Sequence, residues 1–300
     1  MNMSSAGLKR VLITGGSGRV GSYVLREIAP HYDVINADLT ANHADIAQFL
    51  HVDVMDLRAV RSAVQGVDAV IHLAAIDYDW QAKPERYIDV NVRGTWHVLQ
   101  AAAEASVKKV VLCSSISACG LSEMRSNWRP QTLQVDEQHA CRPVQAYSVS
   151  KLLMEQMGKS FVDGTGMDVL CLRPLAVVMP ESFASFIEFI DDPTRNWLFY
   201  YVTAADVARA FRAALECRGL RYGTFFLSAP DTCRAEPTLE WYHQRIGELP
   251  EVTNPRLFRL KPRASIFSSG KARDLLGWEA SSEFPALRAN WLKDTQQAKT

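Results

Sequence analysis

No stretch of this 300-residue chain approaches the ~18 consecutive apolar residues that a bilayer-spanning helix needs. The opening MNMSSAGLKR holds no apolar segment of signal-peptide length, and the next apolar run, VLIT, is far too short to serve as one. No membrane partner is expected, and the cytoplasm is the expected location. Net charge is also missing, because 33 basic residues balance 33 acidic ones. That balance leaves little electrostatic attraction for nucleic acid. The six cysteines (Cys113, Cys119, Cys141, Cys171, Cys217 and Cys233) include no C-x-x-C pair, the tight spacing that metal sites and redox motifs favour. Reduced thiols are expected, with Cys113 and Cys171, both in apolar runs, acting as small hydrophobes. No spaced cluster of His, Asp and Glu suggests a metal. His72, inside an apolar strand, reads as a core residue.

What is present is alternation. Apolar, β-branched runs at residues 11–14, 33–37, 51–54, 69–75, 109–115 and 167–175 read as strands. Helical patterns at 20–29, 57–64, 85–105 and 147–162 fall between them. Strands that are continuously apolar are buried on both faces, so the sequence predicts an α/β fold with a doubly wound parallel sheet. Beyond residue 175 the alternation thins, leaving a strand at 199–203, a helix at 205–216 and a strand at 223–229. The expected organisation is a dinucleotide-binding domain from residues 1–175 plus 199–230. A small discontinuous cap would take 176–198 plus 231–300.

The first strand runs directly into Gly15, Gly16, Ser17, Gly18, Arg19, Val20 and Gly21. Glycines at such a strand-to-helix turn permit positive φ, close backbone approach to a pyrophosphate and tight helix–strand packing. The helix amino terminus then offers N–H groups and partial positive charge to phosphates. Asp38 ends the next strand about twenty residues on, as the dinucleotide fingerprint requires. Its carboxylate suits ribose hydroxyls and repels a 2′-phosphate, so NAD is favoured over NADP. Arg19 reads either as a solvated side chain or as a phosphate contact.

Tyr147 and Lys151 are four residues apart, on one face of a helix. A free tyrosine has a pKa of about 10 and is a poor base near neutrality. A neighbouring cation favours the phenolate and lowers that value. Ser115 follows the strand at the sheet edge where ligands bind in such folds.

These pieces together resemble the extended short-chain dehydrogenase/reductases, the NAD-dependent epimerase/dehydratase superfamily. The matching segments are TGGSGRVG, Asp38, Asp53-Val54, HLAA at 72–75, NVRGT at 91–95, CSSISACG at 113–120, YSVSK, LRP at 172–174, YYVTAADVARA and SSGKARDLLGW. They cover nearly the whole chain in order. The resemblance implies Tyr147 as acid/base, Lys151 as ribose contact and pKa modulator, and Ser115 as the residue polarising the reacting hydroxyl. It implies cofactor contacts from Asp53 and Val54, from Leu73, Ala74 and Ala75, and from Pro174, with Asn91 supporting the site from its helix. A homodimer through the helices at 85–105 and 147–162 is implied as well, with Leu152, Leu153, Met154 and Met157 supplying apolar surface.

Departures narrow the activity. Dehydratases of this superfamily carry an acidic pair where this chain has Ile116 and Ser117. Fewer than thirty residues separate Pro174 from Val202, little protein to enclose a nucleotide diphosphate. That short lid resembles the uronate dehydrogenases. Cys119 stands where nucleotide-sugar epimerases usually carry Tyr. Trp80 and Trp128 either edge the pocket or merely pack, and Arg173 either clamps a substrate carboxylate or sits in a structural ion pair. The leading expectation is an NAD-dependent dehydrogenase for a small sugar-like substrate. A sugar epimerase retaining its NAD and a non-catalytic dinucleotide-binding protein are the alternatives.

Overall fold

The computed structural model describes residues 7–41, 46–78, 82–123, 125–192, 194 and 199–297. Its centre is a seven-stranded, all-parallel sheet. In chain order the first elements are β1 (Arg10–Thr14), α1 (Arg19–Ile28), β2 (Asp33–Asp38), β3 (Gln48–His51), α2 (Leu57–Ala63) and β4 (Ala69–His72). Next come α3 (Pro84–Tyr87), a wide π-type turn (Ile88–Arg93), α4 (Gly94–Glu104), β5 (Lys109–Cys113), β6 (Thr132–Leu133), α5 (Ala146–Gly164) and β7 (Asp168–Pro174). The remainder holds β8 (Val177–Val178), α6 (Phe183–Asp191), β9 (Val202–Thr203), α7 (Ala204–Glu216) and β10 (Tyr222–Leu227). It closes with α8 (Thr238–Arg245), β11 (Glu251–Val252), α9 (Pro255–Leu260), α10 (Gly270–Leu276) and α11 (Phe284–Gln297).

The sheet order is β10-β7-β5-β4-β1-β2-β3. Side-chain alternation, with both faces covered by helices, explains why its inner strands are mostly apolar. Val11, Ile13, Ile71, Val111, Leu170 and Leu172 enter one core with α1 and α7. Leu12, Val70, Val110, Leu112, Val169 and Cys171 enter the other with α2, α4 and α5. Helix α5 lies close to the sheet because Gly158 has no side chain; a Cβ there would come within 2.9 Å of Val169 Cγ1. All strands point the same way, so the segments following β1, β4 and β5 share one edge, with the order reversing between β1 and β4.

Several expected boundaries shift. The strand expected at 51–54 is β3 at Gln48–His51, because its last pairing partner is Asp38 and the sheet edge ends there; Val52 and Val54 are buried beyond it. The strand expected to reach residue 75 stops at His72, and the one expected to reach 115 stops at Cys113, the last residues that pair with the next strand. The single helix expected at 85–105 is three segments, with the π-type turn at its centre. The strand expected at 199–203 shortens to Val202–Thr203, pairing with Val177–Val178 outside the main sheet. Strand β10 does return to the sheet beside β7. Among the described residues no helix is long and apolar enough to cross a membrane.

Candidate active site

The glycine loop is closed by close approach. Gly15 has φ +75°, and a Cβ on it would sit 2.4 Å from Ala74 N. A Cβ on Gly21 would meet Gly15 O at 2.0 Å, so the first turn of α1 rests directly on the loop. Gly18 N donates to Gly15 O at 3.1 Å, tightening that turn. Ser17 N donates to Asp38 Oδ2 at 2.9 Å, and Leu39 N to Asp38 Oδ1 at 2.7 Å. Asp38 is thereby fixed at the loop with carboxylate lone pairs left over. Val52 N donates to Asp38 O, which brings Asp53 alongside, exposed and turned by Met55 N onto its Oδ1. Close-set loop backbone with acidic side chains at one end fits an adenine dinucleotide.

Arg19 extends from the loop across to Asp77, with Nη2 2.7 Å from Oδ2. Asp77 also accepts from Tyr78 N, at 2.7 Å on Oδ1. One residue back, Ile76 is clamped by Asn91, which accepts from Ile76 N (2.8 Å) and donates to Ile76 O (3.1 Å). The π-type turn makes this possible by swinging Asn91 fully inward, where its Nδ2 also donates to Ser150 Oγ. Trp80, a predicted pocket-edge residue, lies outside the described residues.

The floor of the site joins α5 to the end of β5. Lys151 Nζ donates to Cys113 O at 2.8 Å, and Ser114 Oγ donates to Glu155 Oε1 at 2.5 Å. Ser115 caps the short helical turn Ile116–Cys119; its Oγ accepts from Ser117 N, so its own O–H remains a donor. Tyr147 opens α5, half-buried between the edges of Tyr78 (ring centroids 5.6 Å) and Tyr87 (5.9 Å). Lys151 Nζ lies 5.6 Å from the centre of the Tyr147 ring. Burial pushes the Lys151 ammonium below the ordinary lysine range. Behind it, His72 is held between Thr14 Oγ1 (2.7 Å) and Thr95 Oγ1 (3.0 Å). Burial, then the Lys151 charge, pushes His72 down to about 3, so it is neutral at working pH. The expectation of a core histidine holds.

Arg173 corrects one option. Its Nε and Nη2 bind Glu155 Oε1 and Oε2 at 2.7 and 2.6 Å, with the two side chains only 4% and 1% exposed. It is the structural half of an ion pair and not a substrate clamp, because both fork positions facing Glu155 are taken and the group is sealed from solvent. Trp128 is likewise buried, donating from Nε1 to Cys119 O with Arg142 stacked on its ring. Two carboxylates went unnoticed in the sequence. Glu155 was signalled by its spacing, one helical turn after Lys151. Glu123 had no local signal; its buried carboxylate accepts from Val144 N and Gln145 N, fixing the entry to α5.

Residues 11–190 match the NAD dependent epimerase/dehydratase family. The chain belongs to that family. It is 27% identical to the L-arabinose 1-dehydrogenase (NAD(P)(+)) of Haloferax volcanii over 70% of this chain and 83% of that one. It is also 27% identical to the UDP-glucose 4-epimerase of Streptomyces lividans, over 91% and 92%. The crystal structure of uronate dehydrogenase from Agrobacterium tumefaciens shares the fold, with a TM-score of 0.67 at 18% identity over 95% and 89%.

Proposed function

We propose that this family member is an NAD-dependent dehydrogenase acting on a hydroxyl of a small sugar or sugar acid. One observation carries the reading: Tyr147 and Lys151 occupy successive turns of α5 at the sheet edge that also bears Ser115 and the glycine loop. NAD would lie along residues 15–21, meet Asp38, Asp53 and Val54 at one end and Leu73, Ala74, Ala75 and Pro174 toward the other, and reach Tyr147 and Lys151. When bound it supplies the hydride-accepting ring. Tyr147 takes the proton of the substrate hydroxyl, and the Lys151 ammonium nearby favours the phenolate that this needs. Ser115 donates its free O–H to the substrate oxygen as charge develops there. Asn91 holds the segment opposite through Ile76. Asp38 favours NAD over NADP, and the Arg19 guanidinium already faces Asp77.

The short lid supports a small substrate. Strands β8 and β9 pair directly, and α6 spends its apolar face on α11, with Phe183 packed against Phe284 (6.0 Å) and Trp291 (5.7 Å). Tyr23 Oη, donating to Glu181, ties the lid to α1. Residues 176–198 and 231–300 would thus form the substrate cap, and the rest the dinucleotide domain. The likeness to an epimerase over most of the chain favours a second reading, in which NAD stays bound and no net oxidation occurs. Mixing the protein with NAD and a panel of pentoses, hexoses and uronic acids tests both. NADH accumulating with one class supports the dehydrogenase, whereas epimer formation without NADH supports the alternative.

Of the residues expected to supply apolar surface, Met154 is buried in the core under α5, but exposed Leu153, with Ile88 and Trp96, supports a homodimer, which light scattering would detect. Six free thiols suit a reducing cytoplasm.

A further inference from the structure

The catalytic reading leaves two sulfur atoms unused. Cys119 closes the turn that begins at Ser115, and Cys141 lies in the loop that leads into α5. Both meet one guanidinium: Arg173 Nη1 is 3.7 Å from Cys119 Sγ, and Nη2 is 3.5 Å from Cys141 Sγ. Glu155 fixes that guanidinium from its other side. The two backbones run side by side, because Arg142 N donates to Cys119 O at 3.2 Å. Trp128, donating to the same carbonyl, holds Cys119 in place.

The pair is asymmetric in exposure. Cys119 is fully buried, while Cys141 is half-buried. It is asymmetric in protonation too. The adjoining Cys119 thiol, and more weakly the Arg173 cation, draw the Cys141 thiol below the ordinary cysteine range. Cys141 beside it, together with burial, pushes Cys119 far up. Burial pushes Cys113, Cys171 and Cys233 up as well. A thiolate is the sulfur form that reacts, and a guanidinium neighbour stabilises it.

We propose that Cys119 and Cys141 form an oxidisable dithiol, a modification site at which a hydroperoxide closes a disulfide beside the active site. The Cys141 thiolate attacks a peroxide oxygen; the O–O bond breaks, hydroxide departs, and a Cys141 sulfenic acid forms. Cys119 sulfur then attacks Cys141 sulfur; the S–O bond breaks, and the leaving hydroxide takes the Cys119 proton and departs as water. The sulfurs give up two electrons and the peroxide is reduced. The bond would join the turn that begins at Ser115 to the loop leading into α5, the helix that bears Tyr147. It would also remove the thiolate from Arg173.

The test uses the full, reduced chain treated with hydrogen peroxide, blocked with N-ethylmaleimide and mapped by peptide mass spectrometry. The expected result is a Cys119–Cys141 crosslink that dithiothreitol reverses, and a dimedone adduct at Cys141 in Cys119→Ser. A wild-type map in which both residues still alkylate overturns the proposal, as does a bridge to any other cysteine. So does native Cys141 reacting with the maleimide no faster than Cys217, a comparison that needs no variant to fold.

Discussion

The site holds two guanidinium–carboxylate pairs with opposite settings. On the floor, Arg173 and Glu155 are 4% and 1% exposed and bind at two points. At the mouth of the groove, Arg19 and Asp77 are 51% and 47% exposed, with Nη2 on Oδ2. Charges sealed from water hold only one arrangement, because any unpaired alternative leaves a buried ion. Charges in water change partners at little cost. The floor is therefore where geometry is fixed, since Glu155 also anchors Ser114 and Lys151 anchors Cys113. The mouth is where the proposed dinucleotide would enter.

Tyr147, the proposed general base, is a member of neither pair. Tyr147→Phe should lower turnover ~10²–10⁴-fold, the range for losing a general base. The melting temperature should stay near wild type by calorimetry, and a Tyr147→Phe enzyme with full NADH output would remove Tyr147 from its role. Glu155→Ala strips a partner from a buried cation and should cost about 3–5 kcal/mol in urea unfolding. A cost below about 1 kcal/mol would mean the floor behaves like the mouth. His72 supplies a pH signature for the buried side. Its folded pKa of about 3 is depressed below the ordinary 6.5, so the unfolded chain binds a proton that the native one refuses in that interval. Stability should fall as pH drops below about 6.5, by up to ~1.4 kcal/mol per unit from this group. His72→Asn should flatten the slope, and an unchanged slope would assign acid sensitivity elsewhere. Smallest is Arg19→Ala, expected to change stability by ~0–1 kcal/mol. Added salt should shrink the difference further. A larger, salt-insensitive loss would erase the contrast.

The cofactor half was legible because its constraints are local. Gly21 is dictated by its approach to Gly15 in the same loop, Gly15 has a positive φ that marks the turn itself, and Asp38 stands at the end of a strand. Tyr147 and Lys151 share a helical face, which spacing alone reveals. Arg173 stayed ambiguous because its partner is eighteen positions away on another element, and only tertiary packing chooses between partner and ligand. The capping by Glu123 spans more than twenty positions and has no periodic signature. The substrate side is held by aromatic contacts between distant segments, such as Phe199 on Trp241 and Tyr201 on Phe284, which no short pattern encodes. The edge strand β3 failed for a related reason: exposed on most of its length, it lacks the apolar run that marks its neighbours.

The π-type turn at Ile88–Arg93 works as a phase shifter within its rod. A regular helix advances about 100° per residue, so one additional residue in a turn re-aims everything downstream by that angle. Asn91 can thus turn inward onto Ile76 while Val98, Leu99 and Ala102 face the sheet and Trp96 faces outward. Removing one residue from this stretch would put the clamp on Ile76 and the inward apolar stripe out of register together.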